Sequence, residues 1–277
     1  MSPRDVPPPP AGAFDPAFDR HIGAFHWRGF VTLMRRELLR VRKMAAMTVI
    51  APAIMAVIYF VCFAFGLGPN RGTPAGDAVL DFLVPGLIMM SLLLQAAQNP
   101  AFSLVYSKIE GMVIDQLMAP VGARETVLAY VIAGVAAGLL AGAGIWAAML
   151  LLRAPAVAHP LAVLGFGVLG AAMMAAAGFL SGIVSQKWDH MAAFLTFIFL
   201  PLVFLSGLFA PVDGMPEPFR TIVQANPVFY AIDGFRYGFI GESHQPPAVS
   251  LMVLLVVTAL LYGAALALYA RGWRLKS

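Results

Sequence analysis

The chain has 277 residues, 60% of them hydrophobic and only 12% charged, with a mean hydropathy of +0.82. Soluble domains carry about 25% charged residues, so this composition excludes a soluble globular protein and indicates an integral membrane protein. A net charge of +4 does not argue for nucleic acid, because most basic residues flank apolar runs, where membrane orientation accounts for them.

Residues 1–20 contain "PPPP" and Asp5, Asp15 and Asp19 but no apolar core, and are expected to be a disordered tail rather than a signal peptide. The stretch 21–45 is expected to be an amphipathic interface helix. In "FHWRGFVTLMRRELLRVRKM", Trp27, Val31, Met34, Leu38 and Val41 recur every three or four residues, and Arg28, Arg35, Arg36, Arg40, Arg42 and Lys43 occupy the rest of the circumference. Such a helix lies in the membrane surface, its arginines among anionic headgroups, and either acts as an anchor or also meets a cytoplasmic partner.

About 20 apolar residues cross a bilayer. Six runs qualify, at about 46–66, 82–106, 126–152, 161–186, 190–210 and 248–270, which together predict an all-α six-span bundle over 46–270. The second run has the polar exceptions Ser91, Gln95, Gln98, Asn99 and Ser103. They either hydrogen-bond to neighbouring helices or line a translocation path. Gly134, Gly138 and Gly142, then Gly178 and Gly182, repeat every four residues and read as close helix packing. The lone Cys62 can form neither an intrachain disulfide nor a cysteine metal cluster.

Between the second and third runs, "YSKIEGMVIDQLMAPVGARE" carries Lys108, Glu110, Asp115, Arg124 and Glu125. It predicts an amphipathic helix over 107–120, with Ser107, Lys108, Gly111 and Asp115 on one face and Ile109, Met112, Val113 and Leu117 on the other. Before the last run, 211–247 is too apolar for a solvated loop and predicts two short helices dipping into the outer leaflet, at about 216–224 and 227–240. Pro227 starts the second, where its missing N–H costs nothing. Asn226, Tyr230 and Arg236 stand in this segment, with Arg220, Asp233 and Arg236 suited to the headgroup zone.

With the N-terminus in the cytoplasm, fourteen of the eighteen Lys and Arg residues fall on the inner side, including the tail 271–277, and only Arg71, Arg153, Arg220 and Arg236 fall outside. That asymmetry puts both termini in the cytoplasm of a multi-pass protein. None of the four lysines follows a glycine, so the chain has no phosphate-binding loop of the G-x-x-x-x-G-K-[ST] kind. The interiors of the six runs hold no Asp, Glu, Lys or Arg, which disfavours proton coupling through a buried carboxylate. The five histidines are scattered and no carboxylates pair, so no catalytic or metal site is expected.

The order of these parts resembles the permease subunit of type-2 ATP-binding-cassette exporters. The stretches "FLVPGLIMM" (82–90), "KIEGMVIDQLMAPV" (108–121), "FLSGLFAPV" (204–212) and "NPVFYAIDGFRYGFIG" (226–241) are similar to that family's signature segments. The resemblance implies that the 107–120 helix is a coupling helix and that Lys108, Glu110, Gly111, Asp115, Arg35 and Arg36 face a separate ATPase. It further implies two permeases with two ATPases in the inner membrane, with ATP and Mg held by the ATPase and no cofactor on this chain. The cargo implied is a lipid-linked saccharide, lipid or hydrophobic drug carried outward. The alternatives are an uncoupled channel or scaffold, or a membrane-embedded lipid-modifying enzyme.

Overall fold

A computed structural model describes residues 25–66, 72–113, 121–153, 155–209 and 211–274, without the side chains of Ala75 and Asp213. Every regular element among them is helical. In chain order these are α1 Trp27–Lys43, α2 Ala45–Gly66, α3 Pro74–Ile109, α4 Ala123–Leu152, α5 Pro160–Val184, α6 Trp188–Phe204, α7 Glu217–Ala225, α8 Pro227–Ile240 and α9 Pro247–Ala270.

Five of these, α2, α3, α4, α5 and α9, are long and apolar enough to cross a membrane. The run expected at 190–210 is the shorter α6, 17 residues with a π turn at Leu195–Phe199, or about 25 Å of helix. Pro201 explains the irregularity, since its ring would clash with the carbonyl four residues earlier in a regular α-helix.

The helix of the second apolar run is longer than that run. α3 has 36 residues, about 54 Å at 1.5 Å per residue. It begins at Pro74 because Thr73 caps it, Oγ1 accepting from the Gly76 N–H at 3.2 Å, with Pro74 in its first turn. The early carboxylates of Asp77 and Asp81 are neutralised by Arg153, at the end of α4, at 2.9 and 2.5 Å. The hydrogen bond to Asp81, joined by that to Asp77 and by both carboxylate charges, outweighs desolvation and holds the Arg153 guanidinium above its usual value.

α3 is the axis of the bundle. Of its apolar window 67% is buried, against 17% for α2 and 11% for α9, and α5 and α4 grip it most closely. The glycine ridges make this possible. A Cβ on Gly138 would stand 2.6 Å from the Leu92 carbonyl oxygen, one on Gly134 2.8 Å from that of Ala96, and one on Gly178 would overlap the Ala97 carbonyl. Backbone-to-backbone approach of this kind holds helices together by dispersion where no hydrophobic force acts between them.

α8 is inserted into the bundle rather than laid on it. Ten of its 14 residues are buried, and it packs on α5, α9 and α3. Gly234 lies against Phe166 and Gly238 against Val163, while the Ala158 and His159 amides donate to the carbonyls of Phe239 and Gly238 at 3.2 and 2.8 Å. The two short helices read at about 216–224 and 227–240 are thus α7 and α8.

Candidate coupling face and translocation path

At one end of the bundle, α1 meets the start of α4 and the last turns of α3. The face of α1 packed on the bundle carries Phe30, Glu37 and Val41, all buried. The apolar stripe read from the sequence is split: Val41 is buried and Met34 and Leu38 are half-buried, but Trp27 is 65% exposed and Val31 also points away. Glu37 takes the bundle-facing position because its charge is met there. Its Oε1 accepts from Arg36 Nη2 at 2.8 Å, and its Oε2 from Arg40 Nη2 at 2.9 Å and Ser103 Oγ at 2.7 Å. Arg36 also donates to the Tyr130 hydroxyl at 3.3 Å, and Arg40 to Asn99 Oδ1 at 3.0 Å. At the start of α1, the His26 N–H donates to Glu125 Oε1 at 2.9 Å. One acidic residue among six cations on this helix was the signal available in the sequence, and Ser103 was legible there as a polar residue of the second run, though not as the partner of Glu37.

Lys108 and Ser107 stand on α3, not on a separate helix. α3 runs on to Ile109 and ends where Gly111 takes a φ of +73°, a conformation suited to glycine at a helix C-terminus. A single wheel over 107–120 is therefore interrupted at Gly111, and 114–120, with Asp115 and Leu117, lie outside the described residues. Ser107 and Val113 are buried, whereas Ile109 and Met112 are exposed. The Lys108 ammonium donates to the carbonyls of Gly182, Ile183 and Ser185 at 2.9, 2.6 and 3.1 Å. It thereby spends its three donors on the otherwise unsatisfied C-terminus of α5, where a cation is favourable. Glu110 and Gly111 are exposed beside it, Arg35 and Arg36 are exposed on α1, and Asp115 lies outside the described residues.

The polar residues of α3 divide. Ser91 is buried and Asn99 is engaged by Arg40. Gln95 is half-buried and Gln98 exposed, and no described residue hydrogen-bonds to either side chain. One turn further, Phe102 lies 5.0 Å from Trp188 of α6 and 6.3 Å from Tyr106, ring centre to ring centre. An amide-bearing stripe that continues into aromatic rings is thus left open on the most buried helix.

At the opposite end the expectation of a headgroup-facing Asp233 and Arg236 is corrected. Both are buried. Asp233 accepts from the N–H groups of His244 and Gln245 at 2.9 and 3.0 Å, fixing the turn that leads to α9. Arg236 donates to the carbonyls of Gly207 and Leu208 and stacks 3.5 Å from the centre of the Phe82 ring. Asn226 caps α8, its Oδ1 accepting from the Val228 N–H at 3.0 Å and its amide donating to the carbonyls of Leu202 and Leu205. Pro227 is in the first turn of α8 and Tyr230 is half-buried. The polar groups of this segment join α3, α6 and α8 instead of meeting solvent. Among the described residues no group of three or more His, Cys, Asp or Glu side chains could hold a metal ion.

The family model of the ABC-2 type transporter matches residues 28–240, from α1 to the end of α8. The chain belongs to this family. This permease is 31% identical over 253 residues to the inner membrane transport permease YadH of Escherichia coli (strain K12), covering 91% of this chain and 98% of that one. It is 25% identical over 260 residues to nodulation protein J of Bradyrhizobium diazoefficiens, covering 90% and 94%. With nodulation protein J of Rhizobium leguminosarum bv. trifolii it shares 25% over 233 residues, 79% and 83% of the two chains. The chain is therefore a multi-pass inner-membrane permease of an ABC transporter, and membership implies an ABC ATPase as its partner.

Proposed function

We propose that the permease moves an amphipathic or lipid-like molecule, such as a lipid-linked saccharide, a lipid or a hydrophobic drug, outward from the cytoplasmic side. Two copies of the permease work with two copies of a separate ATPase, which holds the ATP and Mg. The α1 end faces the cytoplasm with both termini, since fourteen of the eighteen basic residues belong to that side. In this arrangement α6 serves as the fifth of six spans, α1 rests in the inner membrane surface, and α7 and α8 form the outer re-entrant hairpin.

The observation that carries this reading is the open stripe of α3. Gln95 and Gln98 would cost free energy against lipid, and an uncharged amide face suits a cargo with both polar and apolar parts better than a small ion. ATP-driven closure of the ATPases would push on the segment following Gly111 and on Arg35 and Arg36, and the Lys108 bonds would pass that displacement to α5. Each residue then has a mechanical part: Glu110 and Asp115 meet the ATPase, and Lys108 ties the coupling segment to the bundle.

The test is ATP hydrolysis by the permease purified in nanodiscs with its ATPase. Substitutions Glu110→Ala and Asp115→Ala are expected to lower cargo-stimulated hydrolysis while the complex stays assembled, and Gln98→Leu to lower the stimulation by cargo alone. A permease that binds no ATPase under any condition would instead be an uncoupled channel or scaffold.

A further inference from the structure

Between α1 and the last turns of α3 lies a cavity of about 350 Å³, a volume in the range of small-ligand sites. Arg36, Arg40 and Lys43 bring three positive charges to its lining and Glu37 one negative charge, while Leu39, Tyr106 and Met112 bring apolar surface. Glu37 is already committed to Arg36, Arg40 and Ser103. The lining therefore carries a surplus of two positive charges. Arg40 retains unspent capacity, because its buried Nε has no acceptor among the described residues, although a guanidinium offers five donors. Burial pulls the Arg40 guanidinium below its usual value, and the charge of Glu37 offsets only part of that. A second anion beside Arg40 would complete the compensation.

We propose that this cavity binds the phosphate of an anionic amphiphile, the phosphate held by Arg40 and Lys43 and the adjoining chain lying along Leu39, Tyr106 and Met112. Phosphate is the anion this arrangement suits, since guanidinium and ammonium groups both bond its oxygens through short, charge-assisted hydrogen bonds. The apolar lining distinguishes an amphiphile from a free ion. The inference rests on the orientation proposed above, which places α1 in the inner membrane surface where such molecules are found. The same chemistry fits two sources, a resident bilayer phospholipid and a phosphorylated cargo on its way into the bundle.

The experiment is native mass spectrometry of the permease released from nanodiscs of mixed phosphatidylglycerol and phosphatidylcholine. The wild type is expected to retain phosphatidylglycerol about tenfold over phosphatidylcholine, and Lys43→Gln to reduce that enrichment about fivefold. Leu39→Trp, which fills the cavity and leaves every charge in place, is expected to abolish it. Arg28→Gln removes one charge from the exposed face of α1, away from the cavity lining, and is expected to change nothing. Equal retention in Lys43→Gln and Leu39→Trp, or an equal loss in Arg28→Gln, would overturn the proposal. Displacement of the lipid by an equal concentration of glycerol phosphate would overturn it too, since the ligand would then be a soluble anion. Adding the ATPase and ATP separates the two sources, each of which upholds the site: cargo is lost on turnover, and a resident lipid is kept. Retention is measured whether or not an ATPase binds, so failure of the transport reading would be seen separately.

Discussion

Replacing Glu37 by Gln should loosen α1 from the bundle without unfolding the spans. The change keeps the shape of the side chain but removes the charge that Arg36 and Arg40 share, and Glu37 joins α1 to α3 through its buried carboxylate and Ser103. Breaking a buried pair by removing one partner costs about 3–5 kcal/mol. Here the Arg36 side chain is 47% exposed and recovers much of its loss from water, whereas Arg40 at 23% recovers less. The expectation is therefore the lower end, about 3 kcal/mol, equivalent to about a hundredfold in a local opening equilibrium. Hydrogen–deuterium exchange in nanodiscs reads this directly, because amides exchange through such openings. Amides of the second half of α1 should exchange about a hundredfold faster in the variant, with those of α4 and α5 unchanged. Exchange in α1 within about threefold of the wild type would refute the claim that Glu37 holds the helix down.

Three further outcomes follow from the packing. Gly178→Leu drives a side chain into the Ala97 carbonyl and should cost more than the about 1–3 kcal/mol usual for overpacking; Gly165→Leu, which meets open space, should be neutral, and thermal melting of the two variants in detergent checks the contrast. Asn226→Ala removes the cap of α8 and two bonds to the α6 end, and should destabilise that helix by about 1–2 kcal/mol, seen as faster exchange of the first amides of α8. Arg153→Gln frees Asp77 and Asp81, whose side chains are 45% and 51% exposed, so its effect should be under about 1 kcal/mol and should vanish in high salt, as salt-dependent melting would show.

What the sequence made legible was whatever depends on apolar length and local spacing. The runs that become α2, α4, α5 and α9 could be bounded within about three residues because a bilayer demands about 20 apolar residues in a row. The glycine repeats pointed to close packing because residues four apart share one helix face. The helix pair after Pro216 was likewise visible, through Pro227 in the first turn of α8 and the apolar character of the segment. What could not be read were neutralisations between distant residues. The apolar run 82–106 stops short of Asp81, whereas α3 begins eight residues earlier, because Asp77 and Asp81 are neutralised by Arg153 more than 70 positions away. Glu37 depends on Ser103, 66 positions on, and Lys108 on carbonyls 74 to 77 positions on. Asp233 and Arg236 were assigned to the headgroups for the same reason: a charged residue reads as solvated until its buried partners are in view.

If the permease works as proposed, the α1 end, with Glu110 beside Lys108, is the end that an ATPase drives. Site-directed cross-linking tests it most directly: Cys62→Ser removes the native thiol, and Glu110→Cys or, at the opposite end, Glu217→Cys introduces one exposed thiol for a bifunctional reagent in the nanodisc complex. Glu110→Cys is expected to join the permease to the ATPase, with a yield that ATP binding changes. Glu217→Cys should give no such product. A cross-link to the ATPase from Glu217→Cys and none from Glu110→Cys would contradict both the orientation and the coupling face.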